Sequence, residues 1–176
     1  MAAAPKTNTV TRILVATDFS VASAAALTFA KTLAERFDAS LHLLHVLEDP
    51  YITGAFAAEL YAPPPPGLRE SWLKSAEASI NAQLTEAERA RFNATTEVVF
   101  GPTAPAIIER ASALGADLIV MGTHGRGGVA HLLMGSVAER VVRTAKCPVL
   151  TTRGIVQAVP RPAADDEAAL AVLSAM

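Results

Sequence analysis

Five short apolar runs, separated by segments long enough to form helices, constrain this chain most. They are RILVAT at 12–17, LHLLHVL at 41–47, TTEVVF at 95–100, DLIVM at 117–121 and PVLTT at 148–152. The first lacks polar–apolar alternation, as a parallel strand buried on both faces does, and the third is rich in β-formers. Strands that alternate with helices in this way predict an α/β fold: an open five-stranded parallel sheet with helices on both faces and right-handed crossovers.

The intervening segments carry helical signals. Ser20 is placed to cap a helix with Val21, Ala25, Phe29, Leu33 and Phe37 along one side. A long helix is expected from Arg69, with Trp72, Ala76, Ile80 and Leu84 on one stripe, Trp72 serving packing. Thr103 is expected to cap a helix whose Ile107, Ala111 and Leu114 face inward and which Gly115 ends. A last helix over 136–145 turns Val137, Val141 and Val142 inward. The prolines Pro63, Pro64, Pro65 and Pro66 forbid a helix in the 48–67 segment and read as a rigid connector.

Composition narrows the class. With 176 residues, 51% of them apolar, the chain can bury a real core as one domain. A net charge of −2 gives no bulk attraction to nucleic acid or to an anionic membrane. One cysteine, Cys147, excludes an internal disulfide and fits a reducing compartment. No apolar run approaches the ~20 residues of a membrane span, and residues 1–10 have no signal-peptide core. A cytoplasmic protein is the expectation.

The chemistry concentrates at 117–137. The fourth apolar run gives way to Gly122, Gly125, Gly127 and Gly128, and Gly135-Ser136 then opens a helix. Strand, glycine-rich loop and helix start together let backbone N–H groups cradle phosphates. Glycines permit close backbone approach, and the Ser136 hydroxyl lies where helix donors are unpaired. In parallel sheets ligands bind beyond the carboxyl ends of the strands, where strand order reverses. If strands one and four are neighbours there, Asp18, Val46 and Gly122 converge on one crevice.

Other patterns fail. The segment from Gly125 to Ala130 fits G-x-G-x-x-A, but it follows the fourth strand and lacks an acidic ribose partner downstream. No Walker lysine is present. His124 and His131 have no cysteine or carboxylate at metal-ligand spacing. His42 and His45 fall on opposite faces of one strand and read as structural. Ser136 lacks a nucleophile elbow, and Cys147 reads as a small buried hydrophobe. Asp18 has two readings, an Asx-turn at a helix start or an acceptor for a base, a ribose or a metal near phosphates. Arg126 fits either a triphosphate or solvent.

These residues resemble the universal stress protein family. Its nucleotide signature, G-x-x-G, nine residues, then G-[ST], stands here as Gly122, Gly125, Gly135 and Ser136. VATDFS at 15–20, LLHV at 43–46, ADLIVMG at 116–122 and CPVL at 147–150 match as well, and the resemblance covers roughly 10–153. It implies a Rossmann-like, adenine nucleotide hydrolase-like sheet in the order 3-2-1-4-5 that binds ATP with Mg²⁺ or Mn²⁺. By position, Ala16, Asp18 and Val46 would meet the adenine and ribose, and Met121 and Gly122 would line the base of the cleft. Gly125, Gly135, Ser136 and Val137 would hold ribose and phosphates, with His124 and Arg126 as further candidates. The resemblance also implies a homodimer through the last strand, whose edge is otherwise unpaired. Ala16 departs from it, because members often carry proline there, and residues beyond 153 are extra.

The organisation expected is an arm over 1–10, a domain over 11–153 and an extension over 154–176. The function expected is an ATP-binding regulatory module of the stress response, with hydrolysis slow or absent because no general base stands beside a phosphate-activating lysine. The alternatives are a metal-dependent nucleotide hydrolase using Asp18 and an interaction protein that keeps only the fold. Gly122→Val and Gly135→Val are expected to abolish nucleotide retention without unfolding the chain.

Overall fold

Strand β1 (Arg12–Ala16) is the hub of the sheet. It pairs in parallel with β2 (Ser40–Leu47) on one side and with β4 (Leu118–Gly122) on the other. β3 (Thr95–Phe100) adds to β2, and β5 (Val149–Thr152) adds to β4, giving the order β3-β2-β1-β4-β5. This is the expected sheet, and its order reverses between β1 and β4. The computed structural model describes residues 10–48, 65–123 and 134–154. Pro63, Pro64 and the 1–9 and 155–176 segments therefore lie outside the described residues.

Successive strand residues face opposite sides, so each central strand feeds two cores. Ile13, Val15, Leu41, Leu43 and Val120 pack beneath α1 (Val21–Phe37) and α2 (Leu68–Asn81). Leu14, Ala16, Leu44, Ile119 and Met121 pack beneath the helix Thr103–Leu114 and the helix Ser136–Thr144. Burial on both faces explains why β1 and the middle of β4 show no alternation.

Several local expectations need correction. On α1 the buried residues are Ser23, Ala25, Ala26, Leu27, Ala30 and Ala34. The expected stripe holds at Ala25 and in part at Leu33, which packs against the core, whereas its ends fail: Val21 is 73% exposed and Phe37 47% exposed. A spacing of four advances 400°, so a stripe read at strict fours drifts ~40° per step and leaves the core after a few turns. The helix stripe of α2 fares better: Ala76 and Ile80 are buried, and Leu84, beyond the helix end, is buried as well.

A short helix, α3 (Glu86–Arg91), was not expected. Its signal is Thr85-x-x-Glu88, a reciprocal capping box in which each side chain bonds the other's backbone N–H. In α4 (Thr103–Leu114), Thr103 is the first helical residue and not the cap. Its N–H and hydroxyl both donate to the Glu48 carboxylate at the end of β2, so a residue 55 positions away satisfies that helix start. Gly115 ends α4 at φ 59°, where its N–H reaches back to the last turn. On α5 (Ser136–Thr144) the buried residues are Ala138 and Val141, and Val142 faces solvent at 45% exposure.

Candidate functional site

The strand order reverses between β1 and β4, and the carboxyl edge of the sheet at such a reversal is where parallel sheets bind ligands in a crevice. Ala16 and Met121 are register partners there and both are buried. Val46, Met134 and Val137 pack partly buried against the same cluster, so five side chains from β1, β2, β4 and the start of α5 form one apolar floor. The chain enters α5 through Thr123. The Thr123 N–H and hydroxyl both donate to the Thr152 carbonyl, and the Thr123 carbonyl accepts from the Gly135 N–H at 2.8 Å. That bond pins the start of α5 to the end of β4.

Among the described residues no side chain caps the start of α5. Gly135 occupies the N-cap position, where no side-chain hydrogen bond forms, and Ser136 is exposed beside it. The first bond of the helix runs from the Glu139 N–H to the Gly135 carbonyl. The N–H groups of the preceding turn are thus donors without an intrahelical acceptor, at the positive end of the helix dipole. Gly135 has φ −74° and ψ 155°, extended backbone open to any residue.

Asp18 sits on a turn leaving β1. Its Oδ1 accepts from the Ser20 N–H at 3.1 Å and from the Ser20 hydroxyl at 2.6 Å, the Asx-turn reading. Ser20 in turn caps α1 by accepting from the Ser23 N–H. Gly122 lies on the opposite side of β4 from Met121. A Cβ there would stand 2.9 Å from the Ala22 Cβ, so α1 demands glycine at this position. His124, Gly125 and Arg126 lie outside the described residues.

Of the predicted site residues, Ala16, Val46, Met121 and Val137 belong to one apolar cluster, Asp18 follows β1 by two residues, and Gly135 and Ser136 open α5. Thr17, Thr123 and His45, all buried, were missed as members of this edge. Thr17 lies inside the VATDFS match and His45 inside the LLHV match, which single out neither as a site residue, and no local pattern marks Thr123. His42 is structural too: its ring nitrogens meet Thr95 and Glu97, far from the crevice. Burial holds the His42 imidazole below its ordinary value against the opposing pull of Glu97, with Arg110 adding slightly to the depression. Partial burial likewise pushes the Cys147 thiol up. A separate groove of about 600 Å³ runs between α4 and α5, lined by residues such as Ile108, Arg140 and Lys146, none of them from the sheet edge.

Comparison with known proteins agrees with this architecture. The sequence pattern of the universal stress protein family matches residues 9–153. The chain belongs to that family. A universal stress protein of Methanocaldococcus jannaschii is 34% identical over 142 residues, covering 81% of each chain. The solved structure of a universal stress protein from Lactobacillus plantarum superposes with a TM-score of 0.61 at 31% identity, over 82% of this chain and 98% of its own. A universal stress protein solved in complex with cAMP gives 0.55 at 25% identity, over 84% of this chain and 99% of that one.

Proposed function

We propose that the carboxyl-edge crevice holds an adenine nucleotide, ATP with Mg²⁺ or Mn²⁺, and that this universal stress protein acts as a regulatory module through the bound nucleotide. The observation that carries the reading is the start of α5. Among the described residues no side chain caps the N-terminus of this nine-residue helix, and Val137 in its first turn packs against the apolar cluster of Ala16 and Met121. An anion is stabilised at such a terminus, and a flat apolar base suits the floor. A related protein was solved with cAMP, which supports a nucleotide of this class.

In this reading Ala16, Asp18 and Val46 face the base and ribose, and Met121 and Gly122 form the end of the cleft. Gly135, Ser136 and Val137 take the phosphates together with His124, Gly125 and Arg126. Among the described residues no three His, Cys, Asp or Glu side chains gather as a metal site. In this reading the divalent ion is held chiefly by the phosphates. The Asp18 Oδ1 is committed to Ser20, which favours a binding role over general-base hydrolysis. The working unit is taken as 11–153, with 1–10 and 154–176 as appendages, in the cytoplasm. Among the described residues no helix is long and apolar enough to cross a membrane. A second copy is expected to pair along the outer edge of β5.

The test is to denature the purified chain, identify any released nucleotide by chromatography, and titrate the nucleotide-free protein with ATP·Mg²⁺ and, separately, cAMP. Gly135→Val, whose backbone is compatible with valine, is expected to weaken ATP at least roughly tenfold, about 1.4 kcal/mol, with little change in melting temperature. Absence of both co-purified nucleotide and measurable binding sinks the reading. Tighter binding of cAMP than of ATP would move it to cyclic monophosphates.

A further inference from the structure

We infer that His45 is a positioning residue for the nucleotide crevice, setting the placement of Asp18 relative to Val46; this rests on the nucleotide reading above. His45 is buried at 8% exposure on the side of β2 opposite Val46. Its Nδ1 lies 2.7 Å from the Thr17 carbonyl. A carbonyl only accepts, so Nδ1 carries the proton and donates. The ring also packs against Phe19 with centroids 4.4 Å apart. His45 thus touches the residue before Asp18 and the residue after it.

The turn has its own internal bonds. The Thr17 hydroxyl donates to the Ser23 hydroxyl, the Phe19 N–H donates to the Thr17 hydroxyl, and Ser20 donates to Asp18. All of these fall within residues 17–23 and would move with the start of α1 as a unit. The Thr17 N–H to the Leu44 carbonyl at 2.9 Å and His45 both tie that unit to β2, and Phe19 packs against the core cluster that includes Leu41 and Leu43. Phe19 stands at φ 65°, a region that a bulky residue occupies only when its surroundings hold it. His45 is one source of that hold. Because it adjoins Val46 in sequence, one side chain links the two walls of the crevice.

The test uses the full chain with two substitutions, His45→Leu, which removes the donor, and His45→Asn, which keeps an N–H near the same place. Hydrogen exchange at the Phe19 and Ser20 amides of the nucleotide-free protein reads the turn. Titration with ATP·Mg²⁺ reads the consequence. His45→Leu is expected to speed that exchange and weaken ATP by roughly tenfold, while His45→Asn recovers most of both. Combined with Asp18→Ala, His45→Leu is expected to add no further loss, since it acts through Asp18. Strictly additive losses, or wild-type affinity in His45→Leu, overturn the inference while leaving the nucleotide reading intact. If the wild-type chain binds no ATP, the nucleotide reading fails, and His45 is then at most a clamp on the fold, which overturns its binding role too.

Discussion

At Gly122 an added methyl would stand 2.9 Å from the Ala22 Cβ, 3.0 Å from the Ala22 carbonyl carbon and 3.1 Å from the Ser23 nitrogen. Two of those atoms are backbone and cannot swing aside. Gly122→Val is therefore expected to lower stability by about 1–3 kcal/mol through overpacking, measured by denaturant unfolding. It reports on the fold before it reports on any ligand, contrary to the expectation of an intact fold, and Gly135→Val is the better probe of the site. An unchanged unfolding midpoint would refute this packing account. Asp117 illustrates a different kind of residue-scale device. Its Oδ2 accepts from the Thr11 N–H, the Thr11 hydroxyl and the Arg12 N–H, between 2.8 and 3.0 Å. The Thr11 backbone bond foremost, then the other bonds, hold its carboxyl below the usual carboxylate range. A depressed carboxylate contributes stability that is present above its unfolded value, near 3.8, and is lost as pH falls through the folded value. The stability gap between wild type and Asp117→Ala should be widest at neutral pH and narrow in acid. Unfolding curves at pH 7 and below pH 3.8 check this, and a gap independent of pH would remove the charge from the explanation.

Among the elements, α3 depends most on its ends. Six residues are too few to form a stable helix from propensity, and none of the six is buried. What holds it is the Thr85–Glu88 box, with Lys31 of α1 2.7 Å from the Glu88 carboxylate. Thr85→Ala should cost about 1 kcal/mol, read as a lower denaturation midpoint with faster amide exchange confined to 85–92. A change of midpoint without that local exchange would point elsewhere. α5 presents the opposite case, an end left without a side-chain cap beside the crevice. The glycine-serine pair was legible because it closes a glycine-rich loop after a strand and opens a helix, all in adjacent residues. The cap of α4 was not legible, since Glu48 reaches Thr103 only after β2 and β3 have paired. The partial miss on α1 has a simpler cause: alanines fill most of its buried side, and the larger Val21 and Phe37 at the ends of the stripe are exposed.

For the whole molecule, the open question of assembly is set by β5. Among the described residues it pairs only with β4. The carbonyls of Pro148 and Thr152 both accept from β4, so by two-residue alternation the N–H groups of Val149 and Thr151 face outward. Thr151→Pro removes one outward donor and spares the bonds to β4. If a second copy pairs there, sedimentation should show wild-type dimer and Thr151→Pro monomer at the same concentration. A persisting dimer in that variant would place the contact on another surface.

The sequence by itself determined the α/β class and every strand, because burial on two faces, turn residues and helix-length spacers are local properties. It also marked the glycine-serine entry to α5, since a strand, a glycine-rich loop and a helix start are written in adjacent residues. The strand order came from the family resemblance, and hydrogen-bonded pairing across 100 or more residues of chain, Ile13 with Leu118 for example, is what realises it. Tertiary structure alone decided that Glu48 satisfies α4, that α1 forbids a side chain at Gly122, and that His45 spans Thr17 to Phe19. Each is a contact between residues distant in sequence, and no local propensity encodes which distant group will arrive.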